Sequence, residues 1–190
     1  MILTGSQIAA EWEVGRIVID PFVRDHINPN SYNFRLGPRL RVYDKFPLDP
    51  RYPNTYSEID IPQEGFVLEP SRLYLGATIE VLGSRFYAPT FAARSSVARL
   101  GLFINLSASL GDIGFVGQWT LQLVSTHPLR IYHGMRIGQM MWWHVRGDIK
   151  LYEGKYQGSN GPQSTLIHKD FEAQDRTEHL SCMACAGGAK

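Results

Sequence analysis

Cysteine is nearly absent from this 190-residue chain: Cys182 and Cys185 both lie in the last ten residues. A core stapled by disulfides is therefore excluded, and the pattern fits a reducing compartment, so a cytoplasmic protein is expected. An excess of charge of one sign is also missing. Nineteen Lys and Arg face 18 Asp and Glu, for a net charge of +1, and no basic run supplies the field that nucleic acid or an anionic membrane would need. No run of about 18 apolar residues is present, so no membrane partner is expected, and Met1-Ile2-Leu3-Thr4 opens no leader pattern. Long amphipathic periods are scarce and no internal repeat is found. What remains is a 44% hydrophobic chain, enough to bury the core of one domain.

Turn residues punctuate short apolar runs. Thr4 and Gln7 have capping-box spacing, Ile8, Ala9 and Trp12 follow at helical intervals, and Gly15 suits a stop, so the spacing predicts a helix over about 5–14. Arg16–Asp20 reads as a strand broken at Pro21. Tyr32, Phe34 and Leu36 alternate with Asn33 and Arg35, a strand with one polar face. Tyr43–Pro62 reads as an irregular surface segment, and Gly65–Pro70, Tyr74–Val81, Pro128–His133 and Gly134–Val145 read as strands. Met140–Trp143 reads as core or subunit interface. Many short strands imply an all-β barrel or jelly roll with one short N-terminal helix.

The densest chemistry lies in Phe91–Val124. Arg94, Ser95, Ser96 and Arg99 put two cations and two hydroxyls beside Gly101, a donor set suited to a phosphate chain. Asp112 follows between glycines that allow tight turns. A surface loop with a capping Asp and a solvated Arg pair would read the same way. Along Trp119–Val124 the alternation puts Trp119, Leu121 and Leu123 on one face and Gln122 on the other. Tyr152, Lys155, Tyr156 and Gln157 sit in a later segment hinged by Gly154, Gly158 and Gly161. His179, Cys182 and Cys185 offer three potential zinc ligands, one short of a closed structural site. A zinc-dependent deaminase is excluded, because no His-x-Glu precedes a Pro-Cys-x-x-Cys.

ARSSVARLGL (93–102), GDIGFVGQWTLQL (111–123), INPNSYNFRLG (27–37) and KYQG with Gly161-Pro162 and Asp170-Phe171 stand in the order found in the dCTP deaminase/dUTPase family. The sequence resembles its deaminase branch over about residues 1–171, leaving 172–190 as an expected flexible tail. The resemblance implies a distorted jelly-roll or double-stranded β-barrel, assembled as a homotrimer with sites between subunits. It implies that Ser95, Ser96 and Arg99 hold the triphosphate. Arg94 joins them or serves the subunit interface. Asn105 to Ala108 would lie along the base and sugar, and Asp112 near the 3′-hydroxyl or the attacking water. Tyr152, Lys155, Tyr156 and Gln157 resemble an arm that closes over the phosphates. Mg²⁺ would arrive with the substrate triphosphate, and no dedicated metal cage is visible.

Departures from the family pattern bear on the reaction. Asn33 stands where relatives usually carry Asp, Ser109 and Leu110 where some carry polar or cationic residues, and Ser159 where a second Gln is usual. Deaminases of this branch place Glu at position 122, where it takes a proton from the attacking water. Gln122 cannot accept that proton. With Gln122, hydrolysis of the phosphate chain of dCTP, dUTP or a modified relative is favoured over release of ammonia. Two alternatives stay open: dCTP deamination with Gln122 tolerated or introduced deliberately, and a non-catalytic nucleotide-binding regulator.

Overall fold

A computed structural model describes residues 1–175. The expected tail lies largely, and the His179/Cys182/Cys185 motif wholly, in 176–190, outside the described residues. In chain order the elements are α1 (Gly5–Glu13), β1 (Ile17–Asp20), β2 (Ile27–Asn28), β3 (Ser31–Arg35), β4 (Arg39–Tyr43), β5 (Tyr56–Asp60), β6 (Phe66–Leu68), β7 (Tyr74–Ser84), β8 (Tyr87–Ala93), α2 (Ser95–Ala98), β9 (Leu102–Phe103), β10 (Val116–Ser125), β11 (Leu129–Ile131) and β12 (Arg136–His144). The fold is all-β with a short N-terminal helix. One sheet runs β5-β4-β7-β10-β9 with β1 also on β7, a second runs β2-β3-β12-β8, and β11 pairs with β6. No helix among the described residues is long and apolar enough to cross a membrane.

The helix forms where its signals stand. Thr4 Oγ1 accepts the Gln7 N–H at 3.4 Å, and Gly15, at φ +73°, ends it in a left-handed conformation that costs glycine little. Ile8 is fully buried. Trp12 stacks on Phe22 with centroids 3.8 Å apart and donates its indole N–H to the Ile19 carbonyl at 3.1 Å.

The chain divides into two compact units. The larger joins Met1–Val42 to Glu58–Gln163; the smaller joins Tyr43–Ser57 to the C-terminal residues from Ser164. Within the smaller unit the Thr165 N–H donates to the Tyr43 hydroxyl at 2.9 Å, and the Arg51 guanidinium lies 5.0 Å from the centre of the Phe171 ring.

In the larger unit, β7 joins the two main sheets through a bulge. Gln118 pairs with Val81 and Thr120 with Ala77, so Trp119 alone faces Thr78, Ile79 and Glu80. Side chains replace the lost ladder bonds. The Trp119 N–H donates to Thr78 Oγ1 at 2.9 Å, and Gln118 Nε2 donates to the Ile79 carbonyl at 2.9 Å. The displaced β7 residues reach β3 of the other sheet, where Leu36 bridges to Thr78 and Arg35 grips Glu80. A bulge bends its strand; here the bend stitches the two sheets together.

An aromatic row runs through this core: Phe34 to Phe91 at 6.1 Å, Phe91 to Trp119 at 5.6 Å, Trp119 to Phe115 at 4.9 Å and Phe115 to Tyr152 at 5.9 Å, each edge-on. Such pairs contribute about 0.5–1.5 kcal/mol each beyond burial.

One local expectation changes. Tyr43–Pro62 is not wholly irregular, because Tyr56–Asp60 forms a strand. The outer face of β3 is polar but buried: Asn33 Nδ2 donates to Asn28 Oδ1, Asn28 Nδ2 to Ser31 Oγ, and the Ser31 hydroxyl to Gln139 Oε1, at 3.0–3.1 Å. Mutual hydrogen bonds let these small polar groups leave water. Met140 and Trp142 are fully buried, whereas Trp143 is partly exposed with its indole N–H on Thr90 Oγ1.

Candidate functional site

The phosphate-type cluster sits where β8 ends. The Arg94 N–H donates to the Ile137 carbonyl at 3.2 Å, and the chain then makes the single turn α2. Val97 points inward and is buried, which turns Ser95, Ser96 and Arg99 outward. Gly101, at φ +72°, lets the chain leave α2 against Thr126, with no room for a Cβ. Neither the Arg94 nor the Arg99 guanidinium has an ion-pair or hydrogen-bond partner among the described residues. Two unneutralised cations beside two exposed hydroxyls suit an anionic ligand.

The segment after β9 wraps Gln122. The Gln122 N–H donates to the Ile104 carbonyl at 2.8 Å, and the Leu106 N–H donates to Gln122 Oε1 at 3.2 Å. Asn105 Nδ2 donates to the Phe91 carbonyl at 3.3 Å, and the Phe91 N–H to the Ser109 carbonyl at 3.1 Å. These bonds hold 104–109 as an outer rail beside β8 and β10, with Ala108 exposed. Gln122 lies half-buried on the face opposite Leu121 and Leu123, as the alternation requires.

Asp112 stands on a separate turn. Gly111 packs flat against the Trp119 ring, the Gly114 N–H donates to the Ser84 carbonyl at 2.7 Å, and the Phe115 N–H donates to the Asp112 carbonyl at 3.2 Å. The Asp112 carboxylate is exposed and has no hydrogen-bond or ion-pair partner among the described residues, so it does not cap its own turn.

The segment after β12 is fastened to this turn. The Tyr152 N–H donates to the Ile113 carbonyl at 2.8 Å. Gln157 Oε1 accepts the Val116 N–H at 2.9 Å, while its Nε2 donates to the Gly114 carbonyl at 2.8 Å. Gln157 is thus a strut holding the Asp112 turn. The Tyr152 hydroxyl accepts the Tyr156 N–H at 3.2 Å, and Lys155 Nζ lies 5.9 Å from the Tyr156 ring centre. Gln118 completes the clamp: its Oε1 accepts the Gly161 N–H. Sequence reasoning missed Gln118 and Thr78, since a bulge leaves no periodic mark.

One chain therefore gathers its candidate residues into separate groups. Gln122 joins Asn105–Ala108; Asp112 joins Tyr152 and Gln157. Among the described residues no three His, Cys, Asp or Glu side chains cluster as metal ligands.

The profile of the family described as dCTP deaminase-like matches residues 2–145. Proteins named "dCTP deaminase, dUMP-forming" from Leptospira biflexa and Clostridium acetobutylicum are 47% identical over 173 residues, and one of that name from Cytophaga hutchinsonii is 46% identical. Each match covers 90% of this chain and 99% of the relative. A crystal structure of 2′-deoxycytidine 5′-triphosphate deaminase from Agrobacterium tumefaciens matches with TM-score 0.60 and 23% identity, covering 74% of this chain and 47% of that one, which speaks to the fold alone.

These relatives correct one expectation. Cleavage of the phosphate chain in place of deamination, favoured on the strength of Gln122, has no support among them, because all three carry deamination in their names. The physical reason is that an amide at position 122 differs from a carboxylate in being unable to accept a proton. It weakens proton transfer at one position and builds no machinery for a different reaction.

Proposed function

The chain belongs to the dCTP deaminase-like family, and we propose that it is itself a dCTP deaminase of the dUMP-forming kind. The observation that carries this reading is the 47% identity to relatives so named, across 99% of their length. Water replaces the 4-amino group of cytosine by an oxo group and ammonia leaves. Because the product is dUMP, a second water breaks the link between the α- and β-phosphates, and pyrophosphate accompanies ammonia rather than replacing it.

In this reading Ser95, Ser96, Arg94 and Arg99 bind the triphosphate, which enters as its Mg²⁺ complex. The 104–108 rail lies along the pyrimidine with Ala108 leaving room for it, and Asp112 meets the sugar. Lys155, Tyr156 and Tyr152 close from the arm that Gln157 fixes. Gln122 positions the water without taking its proton, which passes through solvent to the leaving amino group, so turnover runs about 10²–10⁴-fold below that of a carboxylate at the same place.

We take the working unit to be a homotrimer with shared sites. Two observations support it: the candidate groups lie apart within one chain, and Leu100, Phe103, Leu106 and Leu110 are 48–70% exposed beside them. Apolar side chains gathered so closely suit burial against another copy. We take residues 1–171 as the family domain and the cytoplasm, where deoxynucleotides are made and consumed, as its location.

The test is incubation with Mg²⁺ and dCTP, measuring ammonia and dUMP separately for the native chain and Gln122→Glu. Slow formation of both, accelerated by the substitution, is expected. No ammonia from either protein would overturn the reading.

A further inference from the structure

The amide of Gln122 has only one orientation consistent with its surroundings. The Leu106 backbone N–H points at one end of it from 3.2 Å. A backbone N–H can only donate, so the end that faces it is the carbonyl Oε1. The flipped amide would set NH₂ against N–H and lose the bond. The backbone of Gln122 is held as well, by its own N–H on the Ile104 carbonyl at 2.8 Å. Side chain and main chain are thus fixed to the same rail, at Ile104 and Leu106.

Nε2 consequently lies at the other end. No hydrogen bond among the described residues uses it. It carries two N–H donors and no acceptor. A glutamate in the same rotamer would keep the Leu106 bond with one oxygen and present the other as an acceptor. Exchanging Glu for Gln therefore leaves shape unchanged and inverts the polarity of the atom offered to the ligand.

We propose that Gln122 makes this site select pyrimidine deoxynucleotides with a 4-oxo group, such as dUTP and dUMP, over those with a 4-amino group. This inference rests on the site reading given above, in which Gln122 positions the water that attacks the 4-amino carbon and so lies beside position 4 of the base. An oxo group accepts from Nε2; an amino group opposes it donor to donor. Sites built around one hydrogen-bond polarity reject the mismatched partner strongly, because a polar group is left unpaired. In a deaminase the 4-amino form is substrate and the 4-oxo form product. The amide thus shifts the site from holding what is consumed to holding what is made.

The experiment is calorimetric titration of the native chain and Gln122→Met with α,β-imido analogues of dUTP and dCTP in Mg²⁺, the imido link blocking cleavage of the phosphate chain and chromatography of the recovered ligand checking that the 4-amino group is intact. The native chain should bind the dUTP analogue at least about tenfold more tightly than the dCTP analogue. Gln122→Met, lacking both polar atoms, should bring the two affinities together. Melting curves check that each variant is folded. Equal affinities in the native chain, or an order that Gln122→Met leaves intact, would overturn the selection while the site reading stands. Failure of both analogues to bind, or binding that Arg99→Ala leaves unchanged, would overturn the site reading and this inference with it.

Discussion

Arg35 and Glu80 join the two main sheets through a two-pronged contact: Arg35 Nε donates to Glu80 Oε1 at 2.7 Å, and the Arg35 backbone N–H donates to Oε2 at 2.9 Å. Glu80 is completely buried. Removing one member of a buried pair leaves an uncompensated charge, at a cost of about 3–5 kcal/mol. Arg35→Met should therefore destabilise more than the double variant Arg35→Met/Glu80→Met, measured by urea unfolding. A single variant as stable as the native chain would show that the contact does not join the sheets.

The bulge depends on one hydroxyl. Thr78 Oγ1 accepts the Trp119 N–H and donates to the Glu80 carbonyl at 2.7 Å. Thr78→Val keeps the shape and strands that buried N–H, which should cost about 1–3 kcal/mol. Thr78→Ser, which keeps the oxygen, should lose less. The two variants compared by thermal melting separate the hydrogen bond from packing.

Arg99→Ala should weaken dCTP binding without loosening the fold. Its side chain is exposed and has no partner among the described residues, so in the proposed site its loss falls on the triphosphate. A hydrogen bond to a charged group is worth about 1.5–3 kcal/mol, or roughly ten- to 150-fold in affinity. The expected result is that loss by calorimetry, with an unchanged melting temperature.

His26 gives stability a dependence on pH. Burial holds its imidazole below the ordinary value of 6.5; the Glu80 carboxylate pulls the other way, and Arg35 and, more weakly, Arg136 lower it further. Nδ1 lies 3.1 Å from the Asn33 carbonyl. The unfolded chain thus binds a proton at a pH where the folded chain does not. The contribution is fully present above about pH 6.5 and is lost as pH falls below it. Melting temperatures measured from pH 7.5 to 5 should drop, and His26→Gln should flatten that drop.

Legibility in the sequence followed the range of the signal. α1 was readable because cap, period and stop lie within a dozen residues. The outward face of Gln122 was readable because a strand alternates. The polar face of β3 was readable from its alternation, but its burial was not, because its partners are Asn28 and the distant Gln139. The Thr78 bulge had no sequence mark, since it is the mismatch between two strands some 40 residues apart. The reaction itself was misjudged from one atom at position 122, where 47% identity across the relatives' length carries more weight.

Gly111 has no side chain, and the Trp119 ring occupies the space one would take. The carboxylate of Asp112, one residue on, is therefore propped from below by the aromatic interior. Exchange of Trp119 for a smaller residue would thus take away the backing of the Asp112 turn at the same time as it opened a cavity in the interior.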